Sequence, residues 1–176
     1  MNTTDTLANA LFDIGCVKFG QFKLKSGLIS PIYIDLRLLV SHPDVLRQAA
    51  QAMAALIREQ PEDPPEIAFD RLAAIPYAGL PIGVAVALET GFPLIYPRKE
   101  AKDYGTAKLI EGAFKPGETA LLVDDLITKG TSKIESLKPL TDAGLVVKDV
   151  LVLIDREQGG ATELAGFGVK LHAVYT

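Results

Sequence analysis

Two adjacent carboxylates, Asp124 and Asp125, end an apolar run and are followed closely by Thr128, Lys129, Gly130, Thr131 and Ser132. Carboxylates accept hydrogen bonds from sugar hydroxyls or from waters on a magnesium ion. The hydroxyls of Thr128, Thr131 and Ser132 and the backbone amides of Lys129 to Ser132 are donors, which is what a phosphate dianion needs. Side by side the two halves suit a phosphorylated ribose, with acids for the hydroxyls and donors for the phosphate. A surface turn after a core strand would also carry charge, but here acid pair, hydroxyl-rich turn and helix start fall in register. The stretch lacks the Walker A spacing, and no G-x-G-x-x-G follows a strand pattern, so ATPase and dinucleotide-binding readings lose support.

For these groups to act together, the chain must place them between a strand and a helix. Thr119 to Val123 reads as a buried strand, the acid pair as the start of a loop, and Thr131 to Ala143 as a helix ending at Gly144. Val146 to Ile154 is a second buried strand, and Ala68 to Ile75, Pro93 to Pro97 and Val169 to Val174 are further ones. Thr4 to Ile14 and Gly79 to Glu89 read as helices, the second with small residues that allow close packing on a sheet. Ser41 reads as the N-cap of a helix that contains Pro43 and runs to about Glu59. Lys18 to Ser30 alternates in polarity around Gly20 and Gly27, predicting short edge strands, with Pro31 to Leu36 as another, and Pro61 to Pro65 is a polar turn. Strands alternating with helices imply an α/β fold with a mostly parallel sheet and right-handed crossovers.

Other groups have both a plain and a chemical reading. Arg98 to Pro116 is a long connection carrying Arg98, Lys99, Lys102 and Lys108, either a solvated loop or a basic lid for a polyanion. Beside a sugar-phosphate site, Arg98, Lys99 and Lys102 make a clamp for a leaving diphosphate. Lys23 and Lys25 sit on the outward face of an edge strand. Tyr77 stands at a strand-to-helix turn, either as an aromatic plug or where amides meet a second phosphate. Arg156, in the charged turn after the strongest strand, has a fork suited to a carboxylate. His42 and His172 have no ligand-spaced company, and Cys16 is expected in the core.

Composition narrows the setting. A chain of 176 residues with 48% hydrophobic and 23% charged residues suits one globular domain, 1–176. The net charge of -4 argues against a broad nucleic-acid or anionic-membrane surface. The uncharged run Leu72 to Leu88 holds prolines and glycines and reads as a buried strand plus helix rather than a membrane span. One cysteine excludes an intrachain disulfide, and no secretory leader is visible, so a cytoplasmic location is expected.

The segments Phe19 to Gly27, Ser30 to Arg37, Arg98 to Thr106 and Asp155 to Gly160, together with the acid-pair motif, resemble the orotate phosphoribosyltransferases, members of the type I phosphoribosyltransferases. The resemblance covers nearly the whole chain in order. It implies a type I phosphoribosyltransferase-like fold with a small N-terminal hood of short strands within residues 1–40. It implies the substrates PRPP (5-phosphoribosyl diphosphate) and orotate, and transfer of the phosphoribosyl group to orotate in pyrimidine (UMP) biosynthesis. Lys25, Tyr33 and Ile34 would border orotate, Arg156 would bind its carboxylate, and Thr128 would lie between base and phosphate. Asp124 and Asp125 would hold the ribose hydroxyls, with Leu126 and Ile127 in the same motif, and Lys129 to Ser132 the 5-phosphate. Tyr77, Ala78, Arg98, Lys99, Lys102 and Tyr104 would face the diphosphate, with Lys102, Asp124 and Asp125 as the catalytic set. Magnesium would be held mainly by PRPP, with Asp124 and Asp125 reaching it through water and no direct protein ligand. A homodimer sharing the basic loop between subunits is implied, and a fused or paired orotidine 5'-phosphate decarboxylase is a further expectation.

Two departures qualify the match. Many bacterial members have His where this chain has Tyr104 and Lys where it has Ala78. The Asp-Tyr-Gly-Thr form is more similar to the transferase domain of bifunctional UMP synthases, and Tyr does not titrate near neutrality. Family members usually continue beyond the position of Thr176 with a further helix, so a trimmed chain or one unit of a longer protein is expected. Two rival readings are a transferase for another nucleobase and a non-catalytic PRPP-sensing regulator.

Overall fold

The computed structural model describes residues 3–23, 27, 29–58, 67–98 and 109–176. Helix α1 (Thr3–Asp13) leads into an antiparallel pair, β1 (Val17–Lys23) and β2 (Ile29–Ile34), which forms a small sheet of its own. A 3-10 turn, Leu36–Ser41, and helix α2 (Pro43–Arg58) follow. The remaining elements are β3 (Arg71–Ala74), α3 (Gly79–Thr90), β4 (Leu94–Pro97), β5 (Ile110–Glu111), β6 (Thr119–Ile127), α4 (Thr131–Asp142), β7 (Val146–Asp155), α5 (Gly160–Ala165) and β8 (Lys170–Tyr175). The main sheet has the order β5-β4-β3-β6-β7-β8 and is parallel except for β4 with β5. The expected mostly parallel sheet with a small N-terminal sheet is the fold observed.

Side-chain alternation explains why both faces need cover. On one face Leu72, Leu121, Val123, Leu151 and Leu153 pack with Leu7 and Leu11 of α1, Met53 and Ile57 of α2 and Ile82 and Val86 of α3. On the other, Ala73, Leu122, Val150 and Val152 pack with Leu137 and Leu140 of α4 and Leu164 of α5. A strand apolar on both sides reads as a continuous hydrophobic run, which is how β6 and β7 look in sequence. Cys16 is fully buried in the first layer, and burial pushes its thiol up to about 11, so it stays protonated. Among the described residues no helix is long and apolar enough to cross a membrane.

Several boundaries differ from expectation for identifiable reasons. Strand β6 does not stop at Val123 but carries Asp124 and Asp125 within it, because β7 pairs with it as far as Ile127 opposite Asp155. Ser41 is not an N-cap: it ends the 3-10 turn, and His42 stands before α2 with its carbonyl accepting from Leu46 at 2.9 Å. Strand β3 is confined to four residues, Ala68 to Asp70 lying before it. The N-terminal strands pair with each other and not with the edge of the main sheet. The long connection after β4 contains β5, and α5 is a short helix that periodicity did not signal. Gly144 does close α4: its φ is +86°, its amide donates to the Thr141 carbonyl at 2.9 Å, and Leu145 donates to Leu140 at 3.1 Å. The turn at Pro61 to Pro65 lies outside the described residues.

Close packing of α3 on the sheet depends on absent side chains. A Cβ on Gly83 would sit 2.6 Å from the Ala74 Cβ on β3. We expect Gly83→Ala to destabilise the fold by about 1–3 kcal/mol through overpacking, read as a lower urea midpoint with an unchanged slope. A midpoint equal to that of the parent chain would show that α3 moves away at no cost.

Candidate active site

The order of the strands dictates where a site can form. From β3 the chain moves outward to β4 and β5, then returns to the other side of β3 as β6, so the crossovers part between β3 and β6. Open α/β sheets bind ligands in the crevice at the carboxyl ends of such strands. A cavity of about 780 Å³ lies there, lined by Ile75 to Ala78 after β3, by Asp124 to Leu126 of β6, and by Thr128 to Lys133 at the start of α4. Its opposite wall is Ile34 to Arg37, where β2 leaves the small sheet.

The start of α4 lines the cavity with the N-terminal end of a helix. Gly130 adopts a left-handed backbone, φ +83°, and its carbonyl accepts from Lys133 at 2.9 Å and Ile134 at 3.1 Å. The leading amides of Thr131 and Ser132 have no intrahelical acceptor by helix geometry, and the helix dipole adds partial positive charge. No side chain caps this helix. The two carboxylates next to it differ. Asp124 is buried, its Oδ1 accepting from the Asp125 amide at 2.8 Å and its Oδ2 lying 2.6 Å from Lys133 Nζ. Asp125 is half-buried and its Oδ1 accepts from the Leu126 amide at 2.7 Å. Burial, and secondarily the charge of Asp124, push the Asp125 carboxyl from 3.8 up to about 7. Gly79 lets α3 approach this pair, since a Cβ there would meet Asp124 Oδ1 at 2.7 Å.

The expected site residues do not all reach this cavity. Asp124, Asp125, Leu126, Thr128 to Ser132, Tyr77, Ala78 and Ile34 line it. Tyr77 is largely exposed, and the Pro76–Tyr77 peptide bond is cis. Ile127, expected with the phosphate motif, is fully buried in the α4 and α5 layer, because strand alternation turns it inward. Arg98 lies beside the cavity, in a recess of about 270 Å³ with Tyr77 and Tyr96, and pairs with Glu111 at 2.8 Å. Arg156 lines a separate apolar cavity of about 560 Å³ with Phe12, Phe19, Ile32, Ile154 and Tyr175, and Ile34 borders both cavities. Tyr33 lines neither, its ring facing Phe22 at 5.4 Å across the small sheet. Lys25, Lys99, Lys102 and Tyr104 lie outside the described residues.

Three charged wall residues, Asp35, Arg37 and Lys133, escaped the sequence reading. Asp35 and Arg37 form a two-point ion pair, 2.7 and 2.8 Å, and this hydrogen bonding holds the Asp35 carboxyl below its ordinary range. Lys133 was unassigned, although Lys133, Leu137 and Leu140 share one helical stripe and all three are buried. The stripe was the available signal. Among the described residues no group of three or more metal-ligating side chains could hold a metal ion.

Comparison with known proteins places the chain. No family model matches it. It is 44% identical over 171 residues to cattle uridine 5'-monophosphate synthase, covering 97% of this chain and 35% of that protein. The chain thus spans about a third of that relative's length. It is 38% identical over 176 residues to orotate phosphoribosyltransferase of Halobacterium salinarum, covering 100% of this chain and 95% of that one. The crystal structure of orotate phosphoribosyltransferase from Aeropyrum pernix superposes with a TM-score of 0.79 at 34% identity, covering 97% of this chain and 93% of that one. Matched along nearly its whole length by proteins of that name, the chain belongs to the orotate phosphoribosyltransferase family.

Proposed function

We propose that the chain transfers the phosphoribosyl group of PRPP to orotate, giving orotidine 5'-phosphate and diphosphate. The observation that carries this is the acid pair on β6 set beside the α4 N-terminus within one cavity. A phosphate on the Thr131 and Ser132 amides leaves the ribose hydroxyls facing Asp124 and Asp125. The diphosphate then extends toward Tyr77 and Ala78, with Arg98 in the adjoining recess. Arg156 on the neighbouring cavity supplies a fork for the orotate carboxylate, and Ile34 borders the passage between the two.

The reaction forms the bond from orotate N1 to the anomeric carbon as the bond from that carbon to the diphosphate oxygen breaks. The N1 proton is released, and the ring passes through an oxocarbenium-like state. Orotate is acidic at N1, so positioning and stabilisation of the leaving negative charge are the protein's tasks. Lys99 and Lys102, with Arg98, are assigned to that charge, and Tyr104 to contact without proton donation. Magnesium, held mainly by the diphosphate, would supply further charge neutralisation, with Asp124 and Asp125 reaching it through water. The same reading includes a homodimer sharing the basic loop between subunits, a cytoplasmic location and association with an orotidine 5'-phosphate decarboxylase.

Transfer is tested by following the loss of orotate absorbance with PRPP and magnesium. Consumption of orotate but not of adenine or uracil is expected, and release of diphosphate with another base alone would reassign the acceptor. Lys102→Ala should lower kcat by roughly 10²–10³, the cost of one preorganised charge-stabilising group, whereas near-parental turnover removes Lys102 from the chemistry. A third expectation concerns pH. Folded Asp125 keeps a proton to about 7 that the unfolded chain loses near 3.8, so its contribution to stability is full below the lower value. That contribution fades as pH rises and is gone above the higher value. Between pH 5 and 8 the ligand-free parent should therefore lose more stability in urea than Asp125→Asn does. Parallel losses would mean that Asp125 is ionised throughout.

A further inference from the structure

Lys133 is a buried charge in the cavity wall that the reaction as described leaves without a task. It is 4% exposed, and its Nζ lies 2.6 Å from Asp124 Oδ2 and 2.5 Å from the Leu126 carbonyl oxygen. Its place in the helix is unfavourable on two counts. It occupies the first turn of α4, where the dipole disfavours a cation, and burial strips the ammonium of water. An apolar residue would fit the stripe it shares with Leu137 and Leu140. What compensates the lysine is Asp124, and the contact reaches directly into the cavity wall, which both residues line.

The consequence concerns the adjacent carboxylates. With both ionised and unpaired, the cavity would meet a polyanionic substrate with two negative charges on neighbouring residues. Lys133 cancels one of them and ties the Asp124 carboxylate to α4, the helix whose N-terminus forms the phosphate site. It also ties the Leu126 carbonyl of β6 to that helix. One side chain thereby braces the acid pair against the first turn of α4.

We propose that Lys133 is a positioning residue for the sugar phosphate: it fixes Asp124 against α4 and cancels its charge, so that the acid pair meets the ribose hydroxyls with no uncompensated charge on Asp124. This rests on reading the cavity as a phosphoribosyl site. Ribose 5-phosphate and inorganic phosphate, titrated calorimetrically into the whole chain, separate the sugar half of the site from the phosphate half. Lys133→Met should weaken ribose 5-phosphate about tenfold, on the scale of one or two lost hydrogen bonds, with inorganic phosphate nearly unchanged. Lys133→Arg, which keeps the charge, should recover most of the loss.

Unchanged ribose 5-phosphate affinity in a folded Lys133→Met chain overturns the proposal. So does an equal loss for both ligands, which would make the lysine a support of the phosphate turn alone. If Lys133→Met does not fold, Lys133→Gln, which keeps a donor for the Leu126 carbonyl and removes the charge, is judged by the same two affinities. A parent chain that binds ribose 5-phosphate yet transfers nothing to orotate defeats the proposed reaction alone, and Lys133 still stands or falls on these titrations. A parent chain that does not bind ribose 5-phosphate defeats both.

Discussion

Strand β6 carries two carboxylates into the middle of a sheet that is covered on both sides, and the arrangement of the cavity follows from how that charge is accommodated. A buried carboxylate is costly unless paired or protonated. The chain uses both solutions on neighbouring residues. Asp124 is paired with Lys133 from α4. Asp125 is driven toward its protonated form by burial and by Asp124. Because Lys133 belongs to α4, whose first turn lines the same cavity, the accommodation of charge also braces the cavity wall.

The neighbouring elements are shaped to leave room for this. Gly79 brings α3 close enough that any side chain there would strike Asp124, and Gly83 does the same against Ala74 one turn later. Gly160 lets α5 approach Ile127 and the Thr128 carbonyl, since a Cβ there would lie 2.6 Å from each. The far end of β6 is thus held by backbone approaches on both faces. On the opposite wall of the cavity Asp35 and Arg37 satisfy one another, so that wall presents a charged pair rather than an isolated acid.

Much of this was legible in the sequence, and the exceptions have physical causes. The parallel sheet, the helix start at Thr131 and the glycine stop at Gly144 follow from local patterns that tertiary packing reinforces. The true end of β6 was not local: Asp124 and Asp125 looked like a strand terminus, and only pairing with β7 carries the strand past them. Ile127 belongs to the motif in sequence but points into the core, because alternation within an extended strand decides which motif residues face a ligand. Lys133 sat on the apolar stripe of α4 in plain view, yet a lysine is by default a surface residue until a partner such as Asp124 is known. Tyr33 and Ile34 appeared as one unit, and the strand sends them to opposite faces.

A crystal structure of the chain with orotidine 5'-phosphate bound is the decisive measurement. The phosphate is expected on the amides of Thr131 and Ser132, the ribose hydroxyls on the Asp124 and Asp125 side with Lys133 still bound to Asp124, and the base carboxylate toward Arg156. A phosphate seated elsewhere, or a ribose that turns its hydroxyls away from the acid pair, would contradict that arrangement.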